Sequence, residues 1–88
     1  MPEIRLTLRN EVGLHARPAA LFVQTAQKFQ SEIRVAKGEE EGNAKSFKAV
    51  LKLGVYKNDE VTVRANGPDA DEALNALAQL VADNFGEK

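Results

Sequence analysis

The sequence predicts an α+β fold of two layers, with helices packed on one face of a mostly antiparallel sheet. Three observations predict it. Several short runs alternate apolar and polar residues with period two, as half-buried strands do. Two longer runs carry a single apolar stripe at helical spacing. The two kinds of run are interleaved in the order strand, helix, strand, strand, short helix, strand, helix. At 88 residues, 43% hydrophobic and 28% charged, the chain has material for one modest core,. Residues 1–88 are expected to form one domain, without linker, repeat or low-complexity segment.

Ile4, Leu6 and Leu8 alternate with Glu3, Arg5, Thr7 and Arg9 in the first strand. Residues 10–13 read as a loop. Ala16, Ala19, Ala20, Phe22, Val23, Ala26 and Phe29 then share one broad face of a helix over about residues 16 to 28, with Leu21 on the opposite, wet face,. In the second strand Ile33 and Val35 point inward, Glu32 and Arg34 outward. The polar stretch 37–43 holds two glycines and predicts a hairpin turn with a weak third strand,.

Ser46 precedes Phe47, Val50 and Leu51, and Gly54 follows them. A serine before a short apolar-periodic run and a glycine after it mark the two ends of a helix. Val61, Val63 and Ala65 alternate with Thr62 and Arg64 in a fourth strand, and Asn66, Gly67 and Pro68 make a turn. Asp69 with Glu72 three residues on has the form of a capping box. Ala70, Ala73, Leu74, Leu77, Val81 and Phe85 line one face of the last helix, with Gly86 ending it.

Composition excludes several functions. The formal net charge of -1 gives no cationic field for nucleic acid or anionic lipid,. Aromatics make up 6% of the chain, too few for a sheet that stacks RNA bases,. With no cysteine there is neither disulfide nor thiolate-bound metal,. No metal or organic cofactor is implied. Residues 1–10 hold no continuous apolar stretch, so a signal peptide or membrane span is not expected and the cytoplasm is. The small, polar surface predicts a monomer.

The chemistry concentrates at GLHARPAA, residues 13–20, which contains the single histidine. The first turn of a helix leaves N–H groups unpartnered and carries the positive end of the dipole, which together suit an anion. Pro18 fits this turn because its missing N–H is not needed there. His15 lands near the cap, beside the N–H groups of residues 16 and 17, and Arg17 adds a planar, permanently charged fork matched to phosphate oxygens. A neutral imidazole can attack phosphorus. One histidine without cysteine cannot build a zinc site. If His15 is functional, it is a nucleophile that carries a group or an isolated acid–base. Otherwise it is a solvated capping residue.

GLHARPAA resembles the active-site signature of the histidine-containing phosphocarrier (HPr) family of the bacterial phosphoenolpyruvate:sugar phosphotransferase system. KSFKAVLKLG, residues 45–54, is similar to the regulatory serine region of the same family, and GPDADEAL resembles its entry to the last helix. The resemblance spans the chain. It implies an open-faced sandwich of four antiparallel strands and three helices, and a carrier rather than an enzyme. His15 would take a phosphoryl group on Nδ1 from phospho-enzyme I and pass it to enzyme IIA of sugar permeases. Arg17 would neutralise the phosphoryl oxygens and the Ala16 N–H would help cradle them. Ser46 would be the target of a kinase/phosphorylase, linking the protein to a catabolite-control transcription regulator. Ala16, Ala20, Leu21, Gln24, Phe47, Lys48 and Leu51 would form the docking patch.

Two positions depart from the family pattern. Lys48 stands where an apolar residue is usual. Val12 stands where many members have a serine or asparagine that hydrogen-bonds near the active site, which valine cannot do. The rival functions are a regulatory HPr-like protein working mainly through Ser46 and a nitrogen-branch phosphocarrier.

Overall fold

The computed structural model describes residues 2–86. Four strands, β1 (Glu3–Thr7), β2 (Glu32–Lys37), β3 (Glu40–Asn43) and β4 (Glu60–Asn66), form one sheet in the order β1-β4-β2-β3. All its pairings are antiparallel. The helices are α1 (Ala16–Gln27), α2 (Phe47–Lys52) and α3 (Ala70–Ala82). α3 lies over the strands β1, β4 and β2, α1 packs against both other helices, and α2 reaches β3. This is the two-layer arrangement expected from the interleaved periods and the open-faced sandwich that the family resemblance implies.

Register follows from burial. Ile33 faces Ala65 and Val35 faces Val63 across the central pair, and all four are fully buried. A slip of one residue would turn this whole set to solvent. The helices complete the core with Phe22, Ala26, Val50, Ala73 and Leu77, each fully buried. The other face of the sheet is laced with charge. Arg34 and Arg64 are direct cross-strand neighbours. Glu41 lies between them, 2.9 Å from Arg34 and 3.4 Å from Arg64, and Glu3 takes the other side of Arg64 at 3.0 Å. Each such exposed pair contributes roughly 0–1 kcal/mol; together they relieve a like-charge contact.

Several details differ from the sequence reading. The third strand is short but regular, and its Gly42 pairs with Val35. A side chain at Gly42 would press on Ala49 at 3.2 Å, so the small residue lets α2 settle on the sheet edge. Leu21 is half-buried against the core and does not lie on a wet face. α3 ends at Ala82. Phe85 is buried, yet it sits beyond the helix in a left-handed turn with φ 57°.

The capping box at α3 does not form. Asp69 holds the N-cap position but makes no capping bond. Its carboxylate instead accepts the N–H groups of Gln30 and Ser31, each at 2.9 Å, and the Ser31 hydroxyl at 2.5 Å. The Ser31 hydroxyl in turn accepts the Asp69 N–H at 3.2 Å. The tertiary partners win because they tie the α1–β2 connection to the β4–α3 turn, and Ser31 is buried. These donors, the Ser31 hydroxyl first, hold the Asp69 carboxyl below the usual carboxylate range.

A depressed folded-state pKa means that the charged form stabilises the fold. The contribution is complete above the ordinary carboxylate range and is lost as pH falls through and below it. Asp69→Asn keeps one acceptor but turns an amide donor toward another donor. Its urea midpoint is expected to be lower at neutral pH and to change less than the wild type's between about pH 5 and 2. Parallel pH curves for the two proteins would contradict this.

Candidate functional site

The loop after β1 aims the helix that carries the histidine. The buried Asn10 accepts the Gly13 N–H on its carbonyl at 3.2 Å, and its Nδ2 donates to the Gly13 carbonyl at 2.8 Å. The buried Leu14 anchors the next step, and its N–H donates to the Val55 carbonyl at 3.0 Å. Gly13, at φ 61°, passes against the Val55–Tyr56 backbone. His15 therefore emerges from a stretch fixed on both sides. Nothing in the hydrophobic pattern revealed Asn10, whose Oδ1 is buried without a hydrogen-bond partner among the described residues.

His15 is the N-cap of α1 in extended backbone (φ -105°, ψ 174°), and its imidazole makes no capping bond. Its carbonyl takes the first helical hydrogen bond, from the Ala19 N–H at 2.9 Å. The N–H groups of Ala16 and Arg17 precede that bond and have no intrahelical acceptor, and Pro18 has no N–H to satisfy. His15, Ala16 and Arg17 are exposed. With Val12 and Pro18 they line one shallow depression. Arg17 forms no ion pair among the described residues, so its charge faces the depression unspent. An open imidazole, two amide donors and a guanidinium on a positive helix end can receive and hold a phosphoryl group.

Ser46 caps α2, its hydroxyl accepting the Ala49 N–H at 3.3 Å. Gly54 follows the helix at φ 66°, as the start and stop residues predict. Ser46 does not join His15 and Arg17. The start of α2 is bolted to the far end of α1, where Lys45 donates to the Phe29 carbonyl at 2.6 Å and Gln27 donates to the Lys45 carbonyl at 3.0 Å. The segment after α2 instead meets the loop before His15. The two helices thus run in opposite senses.

The remaining predicted residues lie on these two packed helices. Gln24, Phe47 and Lys48 are exposed; Ala20, Leu21 and Leu51 are half-buried. Phe47 is 43% exposed, a large apolar cost for a surface residue. Val12 (46%) and Tyr56 (63%) add to the exposed apolar groups, and Tyr56 carries no periodicity that would single it out in sequence. Among the described residues no group of three or more His, Cys, Asp or Glu could hold a metal ion, and no helix is long and apolar enough to cross a membrane.

Comparison with known proteins agrees with this geometry. Residues 2–83 match the family model for the phosphotransferase-system HPr component phosphorylation site. The phosphocarrier protein HPr of Mycoplasma pneumoniae is 42% identical over 82 residues, covering 92% of this chain and 93% of that protein. The crystal structure of HPr-C-His from Thermoanaerobacter tengcongensis superposes with a TM-score of 0.98 at 48% identity, covering 100% of this chain and 99% of that one. A second structure from that organism is an HPr dimer, with TM-score 0.80 at 48% identity over 99% of this chain and 100% of that one. Surface polarity alone therefore does not fix a monomer in this fold. On the fold, the whole-length match and the family's phosphorylation-site model together, the chain belongs to the HPr family of phosphotransferase-system phosphocarriers.

Proposed function

We propose that His15 is the phosphoryl acceptor of this chain, taking the group from phospho-enzyme I and giving it to enzyme IIA domains of sugar permeases. The observation that carries the reading is the uncapped imidazole of His15 standing exposed beside the amides of Ala16 and Arg17 and the Arg17 guanidinium. In the forward step the imidazole lone pair attacks phosphorus in line as the bond from phosphorus to the donor breaks. The dianion then rests on the Ala16 and Arg17 N–H groups, with Arg17 offsetting its charge. The second transfer runs the same displacement with His15 as leaving group. A phosphoramidate bond to imidazole suits this relay, because it is readily given up.

The docking patch in this reading is Ala16, Ala20, Leu21, Gln24, Phe47, Lys48 and Leu51, on two adjoining helices. Lys48 places a charge beside Phe47, so Phe47 and Leu51 supply the apolar contact. Ser46 is the regulatory position: a phosphate at the N-cap of α2 would add charge to that patch and weaken docking to enzyme I. Incubation with ATP and a serine-specific HPr kinase should label wild type and spare Ser46→Ala; equal labelling would remove Ser46 from the scheme.

The acceptor is tested with phosphoenolpyruvate and enzyme I, read by intact mass and phosphorus NMR. One added phosphoryl group is expected, on an imidazole nitrogen and labile in acid. An acid-stable adduct, or none with an enzyme I active on another HPr, would refute the reading.

A further inference from the structure

Lys37 ends β2, and its ammonium reaches the segment between α2 and β4. It donates to the Gly54 carbonyl at 2.6 Å, pairs with Asp59 Oδ2 at 2.9 Å and lies 5.4 Å from the centre of the Tyr56 ring. The same Asp59 oxygen accepts the Tyr56 N–H at 2.8 Å, and the Asp59 N–H returns to the Tyr56 carbonyl at 3.0 Å. One ammonium and one carboxylate thus fix the peptide groups on both sides of Val55. The Val55 carbonyl is the acceptor for the Leu14 N–H, and Leu14 immediately precedes His15.

Ion pairs between surface residues usually contribute little. This one differs in two ways. Its side chains are 33% and 32% exposed, so both are partly shielded. The ammonium also serves a backbone carbonyl and an aromatic face, so removing it leaves several groups without a partner at once. The bond from Lys37 and the Tyr56 N–H hold the Asp59 carboxyl below its ordinary value. The nearby Lys57–Glu11 pair, 3.2 Å apart, offers a contrast: its carboxylate is 85% exposed.

We infer that Lys37 and Asp59 form a clamp that positions His15 for phosphoryl transfer, acting through the Val55 carbonyl and the Leu14 amide; the inference rests on His15 being the acceptor. Both are positioning residues, since neither is bonded to His15. In-line transfer is sensitive to small displacements of the attacking atom, and a shift near 1 Å can cost up to about a hundredfold in rate.

The test compares Lys37→Met, Lys37→Arg and Lys57→Met with wild type. The first readout needs no phosphoryl donor: hydrogen exchange at the Leu14 amide, followed by NMR together with the His15 ring resonances. Exchange is expected to quicken about tenfold in Lys37→Met, to recover in part in Lys37→Arg and to stay at the wild-type rate in Lys57→Met. The second readout is transfer from phospho-enzyme I, where Lys37→Met should lower kcat about tenfold with KM held within about twofold. Asp59→Asn keeps an acceptor for the Tyr56 N–H and loses the charge. It is expected to show both effects in smaller measure, and it carries the test if Lys37→Met does not fold. Unchanged Leu14 exchange would overturn the clamp. A rise in KM alone would also overturn it, by making Lys37 a docking contact. A wild type that takes no phosphoryl group, with Leu14 exchange still faster in Lys37→Met, would overturn the acceptor reading and with it the clamp's role in transfer, leaving only the structural link from Lys37 to the Leu14 amide.

Discussion

His15→Ala is expected to take up no phosphoryl group from phospho-enzyme I, at any enzyme concentration that saturates wild type. The reason is the absence of a substitute. The chain has one histidine and no cysteine, and its hydroxyls are far weaker nucleophiles at neutral pH,. Ser46, the hydroxyl most exposed to suspicion, sits by the far end of α1 and is engaged in capping α2. The loss should come without unfolding, because the side chain is exposed and makes no capping bond. Circular dichroism and the urea midpoint should match wild type within about 0.5 kcal/mol. Arg17→Ala should behave differently. It removes a stabiliser of the transferred charge and leaves the nucleophile, so transfer should slow about a hundredfold and still reach completion. Residual labelling of His15→Ala on another residue would break the single-acceptor mechanism.

How much of this was legible beforehand depends on the kind of interaction. Apart from β3, which reads only as a weak strand in a glycine-containing hairpin, period-two and helical spacing found the strands and the helices α1 to α3, because burial on one face is a local property of the sequence. The caps of α2 were readable for the same reason: Ser46 bonds three residues away. Asp69 was misread because its best donors, at residues 30 and 31, are brought to it only by the fold. Phe85 was placed on a helix because its spacing is right, although the chain turns left-handed to bury it. At the site, His15, Ala16 and Arg17 are contiguous, and a local motif could be read whole. Asn10 braces this loop through Gly13, while Lys37, Tyr56 and Asp59 fix the Val55 segment against which the loop packs. Each is an ordinary polar residue in its own stretch, so only the assembled chain discloses them.

The close approach of that loop to the Val55–Tyr56 backbone makes Gly13→Ala a substitution expected to do large structural harm. Two costs combine. Gly13 sits at φ 61°, where an L-residue with a side chain gives up about 1–2 kcal/mol,. A Cβ there would also overlap the Val55 carbonyl oxygen and come within 2.6 Å of Tyr56 Cα, backbone atoms that cannot rotate away. Forcing such a shift costs about 1–3 kcal/mol. The sum, about 3 kcal/mol, is a large part of the roughly 5–15 kcal/mol that holds a domain together, and for a chain of this size lowers Tm by about 12–24 °C. Gly38→Ala separates the two costs, since Gly38 has the same φ of 61° with nothing within 4 Å of its would-be side chain. It should lose about 1–2 kcal/mol and transfer phosphoryl groups at the wild-type rate. In Gly13→Ala the loop must move off the Val55 carbonyl, taking Leu14 and His15 with it, so transfer should slow well beyond the loss of folded protein. Equal losses of stability in the two variants would mean that the loops can part freely, and the histidine's position would then owe nothing to this contact.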